Sequence, residues 1–480
     1  LMVQPNYSYR AISENADEVR AVKEAFAESV LHGFTVAAES EGSVLVDLTP
    51  LLLSDAHGVA NTLSRSRQGN FRPDASRSAI YPPMLKNFPK NSEFEATITF
   101  TGSGAGGYLR SVTPSSDAVT VRMHHSFIEL PDNGYEPRKA DPRSGYGTIR
   151  YMDYATPIQE NIVKQFTRRH RLAKKNPKAK VSEPVEPIRY YVDRGAPEPI
   201  KSALIEGARW WNQAFEAAGY KNAFIVEEMP EGADPLDVRY NVIQWVHRST
   251  RGWSYGSSVT DPRTGEIIKG HVSLGSLRVR QDFLIAQGLL TPYENGTTPD
   301  PRLLEMALAR LRQLSAHEVG HTIGLMHNYI SSTNGRASVM DYPHPLIELQ
   351  NGQISLKNAY DAGIGEWDKA AVTWGYQDFP DNVDEGKALD QLIEDQFKKG
   401  LQFITDSDSR PIGSSHPSSH LWDNGKSAVE ELNRLLEVRN HVLKNFSEKN
   451  IPVGAPLATL EEVLVPMYML HRYQLEGAVK

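Results

Sequence analysis

The sequence predicts an α+β protein with an N-terminal α+β domain, a central domain that combines a twisted mixed sheet with one long helix, and a mainly helical C-terminal region. Three observations lead to this fold class. Strand-like segments occupy much of the first half, one long helical pattern begins at Asp300, and helical periodicity dominates from about residue 381. The 480 residues suffice for several domains, and 40% hydrophobic with 23% charged residues is ordinary for a globular protein.

Four segments follow from these patterns. We assign residues 1–165 to the N-terminal domain, 166–186 to a linker, 187–376 to the central domain and 377–480 to the helical region. The linker contains prolines and a basic run, residues 168–180, in which seven side chains are Lys or Arg. No aromatic residue interrupts this run as nucleic-acid contact would favour, so we expect a solvated linker.

Within the N-terminal domain, an apolar period over residues 13–31 predicts a helix that Ser13 caps and Gly33 ends. Residues 34–38 and 43–48 predict a hairpin across a turn that ends in Gly42. Residues 94–100 and 118–128 predict two further strands. The domain is therefore expected to mix helices and strands with long loops between them.

The central domain begins with alternating strand and helix patterns. Strands are predicted at residues 188–192, 223–228 and 242–247, with a helix over 199–218 after the first of them. Residues 255–260 and 266–274 predict a hairpin around an Asp-Pro-Arg-Thr-Gly turn. These segments predict the sheet of the domain.

A long helix follows the sheet. Asp300 is its expected cap, Pro301 suits its first position, and Leu304, Leu308 and Leu311 are expected in the core. Later helices are predicted at residues 367–376, 388–404, 428–446 and 460–476, with a Ser/His-rich loop at 414–420.

The long helix ends in an extended metal-binding motif, HExxHxxGxxH, over residues 317–327. His317 and His321 are four residues apart, so they lie on one helix face and both reach one Zn²⁺. Glu318 lies between them, where its carboxylate can contact a water on that metal. Gly324 is free to adopt a left-handed conformation that ends the helix and lets His327 supply a third nitrogen.

A second motif, Ser-Val-Met-Asp-Tyr at residues 338–342, follows the third histidine. Together the two motifs resemble the metzincin clan of zinc endopeptidases. Residues 210–215, 251–256 and 365–368 are also similar to a family of large bacterial zinc-dependent metalloproteases of metzincin type, whose N-terminal portion has no assigned role. The similarity covers most of the chain and is most specific over residues 187–376.

The resemblance implies roles for two residues of the second motif. Met340 would form a hydrophobic floor beneath the metal, and Tyr342 would approach the zinc, as a ligand at rest or as a group that steadies the oxyanion. A pure packing role for Tyr342 is an open alternative.

Three histidine ligands leave one zinc position open, as a catalytic site requires. The metal would activate a water, and Glu318 would act as general base and then pass the proton to the leaving amine. The sequence therefore predicts a zinc-dependent endopeptidase that acts on protein or peptide substrates. The resemblance to metzincins implies that an extended substrate pairs with an edge strand of the cleft, which by strand order is expected near residues 255–259.

Other functions remain possible. A non-catalytic zinc-binding or scaffold protein could keep the metzincin fold, although the presence of Glu318 argues against it. A zinc hydrolase of a non-peptide amide, such as a cell-wall cross-link, is a further alternative. A purely structural zinc site is disfavoured by the open position, and Glu348 as third ligand is disfavoured by the spacing of His327.

Composition excludes several classes of protein. The chain has no cysteine, which removes disulfides, thiolate zinc ligands and a cysteine nucleophile. A net charge of −7 gives no general attraction to nucleic acid, and no apolar run is long enough for a membrane span. The chain begins at Leu1 without a signal peptide, which indicates a processed or trimmed chain. We expect a bacterial protein that is periplasmic or secreted.

The remaining histidines are weak signals. His416 and His420 are most simply explained as solvated loop residues, with a substrate-pocket or metal role as the alternative. His124 and His125 are adjacent in a predicted strand, so their side chains face opposite ways and do not easily share a metal. No contiguous acidic loop predicts a calcium site.

Overall fold

The computed structural model describes residues 1–249, 252–294, 296–380, 382–413 and 416–480. Arg251, in one of the stretches behind the family resemblance, lies outside the described residues, as do Ser414 and Ser415 of the Ser/His-rich loop. The chain divides into two compact units. The first unit comprises Leu1–Asp132, Arg150–Lys164 and Asp234–Arg239, and the second comprises Asn133–Ile149, Gln165–Ala233 and Tyr240–Lys480. The predicted four-segment division stays a prediction.

The first unit is rich in β-strands. Its strands are β1 (Met2–Gln4), β2 (Tyr9–Arg10), β3 (Ser29–His32), β4 (Val36–Ser40), β5 (Ser43–Val46), β6 (Asn70–Ile80), β7 (Lys86–Asn87), β8 (Asn91–Ser103) and β9 (Ala118–Ile128). Its helices are α1 (Ala16–Ala25), α2 (Thr49–Leu52), α3 (Val59–Arg65) and α4 (Gly107–Val112). Strand β8 pairs antiparallel with β6, β7 and β9, so both predicted strands of this sheet are confirmed.

The core of the first unit lies on the β8 sheet. Ala96, Ile98 and Phe100 of β8 are fully buried, and Val59 and Leu63 of α3 pack against the same cluster. Strand β8 is buried along much of its length because other strands pair with both of its edges.

The first predicted helix is shorter than expected. Helix α1 begins after Asn15, whose side chain accepts a hydrogen bond from the backbone of Asp17, and no residue of α1 is buried. The chain becomes extended at Phe26, and residues 29–32 pair with β1 instead of continuing the helix. Val30 contributed to the helical period, but its β-branched side chain favours the strand in which it pairs with Val3. The hairpin of β4 and β5 is confirmed.

The second unit contains the larger sheet. Two strands, β10 (Thr148–Asp153) and β11 (Val163–Thr167), contain residues of both units. The other strands of the second unit are β12 (Arg169–His170), β13 (Ile188–Val192), β14 (Phe224–Glu228), β15 (Asn241–Val246), β16 (Tyr255–Thr260), β17 (Glu266–Gly275), β18 (Glu348–Gln350) and β19 (Gln353–Ser355). Strands β12, β17, β15, β13 and β14 pair parallel in that order, and β16 pairs antiparallel with β17. The sheet is therefore mixed, as predicted.

The helices of the second unit are α5 (Ile200–Arg209), α6 (Trp211–Ala217), α7 (Leu277–Leu289), α8 (Arg302–Thr322), α9 (Glu366–Tyr376), α10 (Glu385–Lys398), α11 (Asp406–Ser409), α12 (Ala428–Asn445), α13 (Thr459–Tyr468) and α14 (Arg472–Val479). The main core joins the inner faces of β13, β15 and β17 to α5, α6, α8 and α9. A second cluster joins α7 and the start of α8 to α12 and α13, which confirms a helical C-terminal region.

Several helices of the second unit differ from the sequence predictions. The helix expected over residues 388–404 ends at Lys398, and the helix expected over 460–476 is divided into α13 and α14. The single helix expected over residues 199–218 is interrupted at Trp210. Helix α7 was not predicted, because it buries polar side chains and so lacks an apolar stripe: Asp282 pairs with Arg278, and Gln287 donates to the carbonyl of Asn450. On α8, Leu304 is 44% exposed, and the preceding Leu303 is buried instead.

The basic segment is not simply solvated. Residues Arg169 and His170 form β12 and are buried, and they pair with the start of β17. Lys174 is also buried, and its ammonium donates to the carbonyls of Ala179 and Lys180 at 3.2 Å each. Strand pairing and nearby carbonyl acceptors allow Arg169 and Lys174 to be buried. Composition alone does not reveal such acceptors.

None of the helices within the described residues has the length and apolar character that crossing a membrane requires.

Candidate metal centre

Helix α8 delivers the first two histidines from a buried position. Its buried stripe runs from Leu303 through Arg310 and Leu314 to His317, which is 2% exposed. Residues seven apart lie on the same helix face, so this stripe faces the core along the whole helix. The burial of the helix therefore fixes where the imidazoles stand.

The turn after α8 brings in the third histidine. Gly324 has φ +106°, and a Cβ at this position would overlap the carbonyl oxygen of Arg168 and the ring of Tyr146. Met326 donates its backbone N–H to Gly145, and Gly324 accepts from Gly147, each at 2.8 Å. These bonds hold the returning chain against residues 145–147, and His327 lies three residues beyond the glycine.

The three histidines meet as predicted. Ligand atoms of His317, His321 and His327 all lie within 4.8 Å of one another. Each Nδ1 has an oxygen acceptor: the carbonyl of Val339 for His317 at 2.7 Å, the carbonyl of Leu325 for His321 at 2.9 Å, and a carboxylate oxygen for His327 at 2.7 Å. Because each Nδ1 donates its proton, each Nε2 keeps a lone pair for a metal.

The Nε2 atoms fit a zinc ion. His321 Nε2 and His327 Nε2 are 3.2 Å apart with no proton to share, an arrangement that repels unless a cation lies between them. Two nitrogen ligands at about 2.0–2.1 Å from a tetrahedral zinc stand roughly 3.3 Å apart. Burial and the neighbouring imidazoles hold the pKa of His317 well below its usual value and lower that of His321 to about 4, so both rings are neutral at neutral pH.

The turn at residues 338–342 supports the site from one side. Val339 accepts from His317 and, at 3.0 Å, from Gln313 Nε2. Its own N–H donates to the fully buried carboxylate of Asp368, which also accepts from Ser338 Oγ at 2.6 Å and from the N–H of Gly365 at 2.9 Å. Asp368 of α9 therefore fixes the carbonyl that orients His317, a role that no local pattern in the sequence indicates.

Met340 lies under α8. It is fully buried, and its sulfur occupies the space into which a Cβ on Gly320 would project. Gly320 lies between His317 and His321 in the sequence of α8, so the thioether packs directly beneath the helical turn that carries both histidines. This position suits the hydrophobic floor that the resemblance implies.

Glu318 is buried beside the histidines. It is 5% exposed, and burial raises its pKa to about 7, while the charge of Arg310 and a backbone hydrogen bond from Gly256 oppose the shift. Gly256 belongs to β16, and a Cβ there would overlap the carbonyl of Glu318. The strand therefore approaches the helix closely only because this residue has no side chain.

Tyr342 stands against two of the histidines. Its ring centroid is 5.2 Å from that of His317 and 4.7 Å from that of His327. Tyr329 and Trp422 pack on the same ring, at 5.5 and 5.1 Å. The tyrosine is thus placed at the metal centre within an aromatic cluster, a location that suits either of its predicted roles.

The acceptor for His327 is Asp406, the first residue of α11. Its other carboxylate oxygen accepts from Tyr329 Oη at 3.0 Å and from Arg410 at 3.1 Å. Sequence analysis did not identify Asp406, because it lies 79 residues from His327 and belongs to no motif.

Other predicted candidates are not members of the histidine group. His420 is buried and hydrogen-bonded to the carbonyl of Tyr473 at 2.8 Å, so the expectation of a solvated side chain is wrong for it. Glu348 accepts from Asn358 in a β-hairpin and is not part of the histidine group. The ring of His124 contacts Glu93 and Glu95, whereas the ring of His125 lies 5.3 Å from that of His57 in a tilted arrangement, so the adjacent histidines do face different neighbours.

Replacing Gly324 by alanine is expected to destabilise the protein by roughly 3 kcal/mol and to weaken metal binding. A side chain at such a positive φ costs about 1–3 kcal/mol, and the new methyl would also displace the carbonyl of Arg168. The displaced turn carries His327 away from the other two ligands. Urea unfolding and a zinc titration of the purified variant measure the two effects.

Gly335→Ala is the matched control for that experiment. Gly335 has φ +65° with no atom within 4 Å of the added Cβ, so its substitution costs strain without a clash. We expect about 1–2 kcal/mol of destabilisation and unchanged zinc affinity. Equal losses of zinc affinity in both variants would show that the turn at Gly324 does not place His327.

Residues 299–480 match a family model described as Met-zincin, and residues 1–175 match one described as a domain of unknown function. No curated protein matches the chain in sequence. Among solved structures, archaemetzincin from Methanopyrus kandleri matches 44% of this chain and 96% of its own, with 17% identity and a TM-score of 0.16, which is too low to establish a shared arrangement.

Proposed function

We propose that this protein is a zinc-dependent endopeptidase, because residues 299–480 match a family model described as Met-zincin and carry a histidine triad that could hold a metal ion. The observation that carries the proposal is the position of Glu318, a buried carboxyl group between two histidines whose Nε2 atoms converge. A structural zinc site does not require an acidic group beside its ligands, whereas hydrolysis requires a base beside the metal.

Each residue of the centre then has a chemical task. When the three imidazoles bind zinc, the ion supplies Lewis acidity toward water and the scissile carbonyl. Glu318 takes the proton of the attacking water and returns it to the leaving amine. A carboxyl group with a pKa near neutrality performs both transfers, because it gains and loses a proton at similar cost.

Two neighbouring residues would assist the proposed hydrolysis. Tyr342 faces the centre from the turn at residues 338–342, where its hydroxyl would stabilise negative charge on the carbonyl oxygen. Met340 would support the ligands by packing alone, since a thioether beneath α8 offers no acid–base group.

The substrate is proposed to be an extended protein or peptide segment. Among the described strands β16 pairs only with β17, so no other described strand covers its second edge, where a substrate segment would pair. The backbone of Gly256 in β16 hydrogen-bonds to the carboxyl group of Glu318, so a segment paired with β16 would run close to the proposed base. Main-chain pairing gives binding that tolerates many sequences. Tyr255 and Val259 are 49% and 37% exposed and would contact substrate side chains.

The location is part of the same proposal. We place the protein in the periplasm of a bacterium or outside the cell, which is supported by a chain of 480 residues without cysteine, since no oxidation-sensitive thiol is exposed to that environment. Fractionation of the source cells, with the protein detected only in the cytoplasm, would contradict this location.

The function is tested by incubating the zinc-loaded protein with unfolded casein and with cell-wall muropeptides in parallel. We expect new termini at internal casein bonds, identified by mass spectrometry, and no cleavage of muropeptides. Cleavage of muropeptides alone would make the protein a cell-wall amidase. The absence of cleavage in both substrates, with zinc bound, would favour the non-catalytic scaffold.

A further inference from the structure

The third histidine differs from the other two in what orients it. His317 and His321 donate to backbone carbonyls, but His327 donates to the carboxylate of Asp406 at 2.7 Å. A carboxylate is a stronger acceptor than a carbonyl, and it raises the basicity of the imidazole that donates to it. His327, the ligand that lies beyond the end of α8, thus has the strongest orienting partner.

The segment that carries Asp406 is fastened to the residues after His327. Asn328 Nδ2 donates to the carbonyl of Gln402 at 2.9 Å, and its Oδ1 accepts from the N–H of Ile404 at 3.1 Å. The N–H of Tyr329 donates to the carbonyl of Ile404 at 2.9 Å. Since Asn328 and Tyr329 are fully buried, these bonds are shielded from water and hold the two segments in one register.

The carboxylate of Asp406 is itself held in place. One oxygen accepts from His327, and the other accepts from the hydroxyl of Tyr329 and from Arg410, the residue that follows α11. Both oxygens are therefore engaged by donors, which leaves the carboxylate an acceptor for the ligand rather than a ligand for the ion.

We propose that Asp406 is a positioning residue for the zinc ligand His327, so that the segment at residues 402–410 is an integral part of the metal centre. The carboxylate fixes the tautomer and the ring orientation of His327 before metal arrives. This role concerns retention of the ion and stands whether or not the protein cleaves peptides.

The proposal is tested by measuring zinc affinity, with a colorimetric chelator as competitor, for full-length Asp406→Ala and Asp406→Asn. Loss of an outer carboxylate partner weakens metal binding by about 10–100-fold, and we expect the alanine variant within that range. Asparagine can still accept from His327 but loses the charge, so its affinity should fall less. Asp408→Asn, an exposed carboxyl group on the same short helix, should bind zinc as the wild type does.

Two further measurements separate positioning from a general effect on folding. The metal-free variants should unfold at the temperature of the metal-free wild type, and the visible spectrum of the Co²⁺-loaded alanine variant should shift as His327 reorients. Tyr329→Phe leaves the hydrogen bond between Asp406 and His327 intact, so it should lower zinc affinity by a smaller factor than Asp406→Ala does. If the alanine variant does not fold, the asparagine variant decides. The proposal would be overturned if the folded Asp406→Asn and Asp406→Ala variants both bound zinc with wild-type affinity. If Asp406→Ala does not fold, wild-type affinity in Asp406→Asn alone would overturn it.

Discussion

Replacing Glu318 by glutamine should lower kcat on an unfolded protein substrate by about 10²–10⁴-fold, the usual contribution of a general acid–base group. Glutamine keeps the size and the buried position of the side chain but cannot accept a proton from water. The zinc content should not change, because the three ligands and their Nδ1 acceptors are untouched. Initial rates and elemental analysis of the same preparation measure both quantities.

Glu305→Gln is the control for this substitution. Glu305 lies exposed in the first turn of α8, so its variant changes the same residue type on the same helix without touching the metal centre. Its activity should equal that of the wild type. If Glu318→Gln cleaved casein at the wild-type rate, the proposed base would be wrong, and a different group would have to activate the water.

The pH profile offers a second readout of the same residue. Burial raises the pKa of Glu318 to about 7, and a cation held by the histidines stabilises the carboxylate and opposes that shift. The base is active when deprotonated, so activity should fall as the pH drops through an apparent pKa at or below about 7. Residual activity of Glu318→Gln should lack this acid limb.

Removal of the metal is expected to abolish measurable cleavage and to lower thermal stability. Without the ion, nothing lowers the pKa of the attacking water toward neutrality, and the stabilisation that a bound ligand gives to the folded state is lost. Dialysis against a chelator should eliminate casein cleavage, and one equivalent of zinc should restore it. His321→Ala, which removes the central ligand, should reproduce the metal-free state.

The matched control is His247→Ala, at an exposed histidine whose Nδ1 contacts Ser276 Oγ at 2.9 Å, outside the triad. This variant should keep its zinc and its activity, which shows that loss of a histidine alone is harmless. Full activity in a chain shown by elemental analysis to be free of metal would disprove the proposed chemistry.

The sequence predicted strands better than it predicted helix limits. Strands at 118–128, 188–192 and 255–260 agree with the structure because alternation over a paired segment is a local signal. The first helix was too long because residues 29–32 find a strand partner, and α7 was missed because its buried face carries Asp282 and Gln287. Tertiary contacts supply what makes those conformations stable, and local periodicity does not report them.

The sequence by itself determined the metal-binding histidines, the neighbouring glutamate and the glycine turn, because their spacing within 11 residues constrains their geometry on one helix and its end. Only the tertiary structure decided which groups orient them. These groups come from separate strands, turns and helices and belong to Val339, Asp368, Gly256 and Asp406. Their hydrogen bonds and close approaches depend on how distant segments pack, and no pattern along the chain encodes that packing.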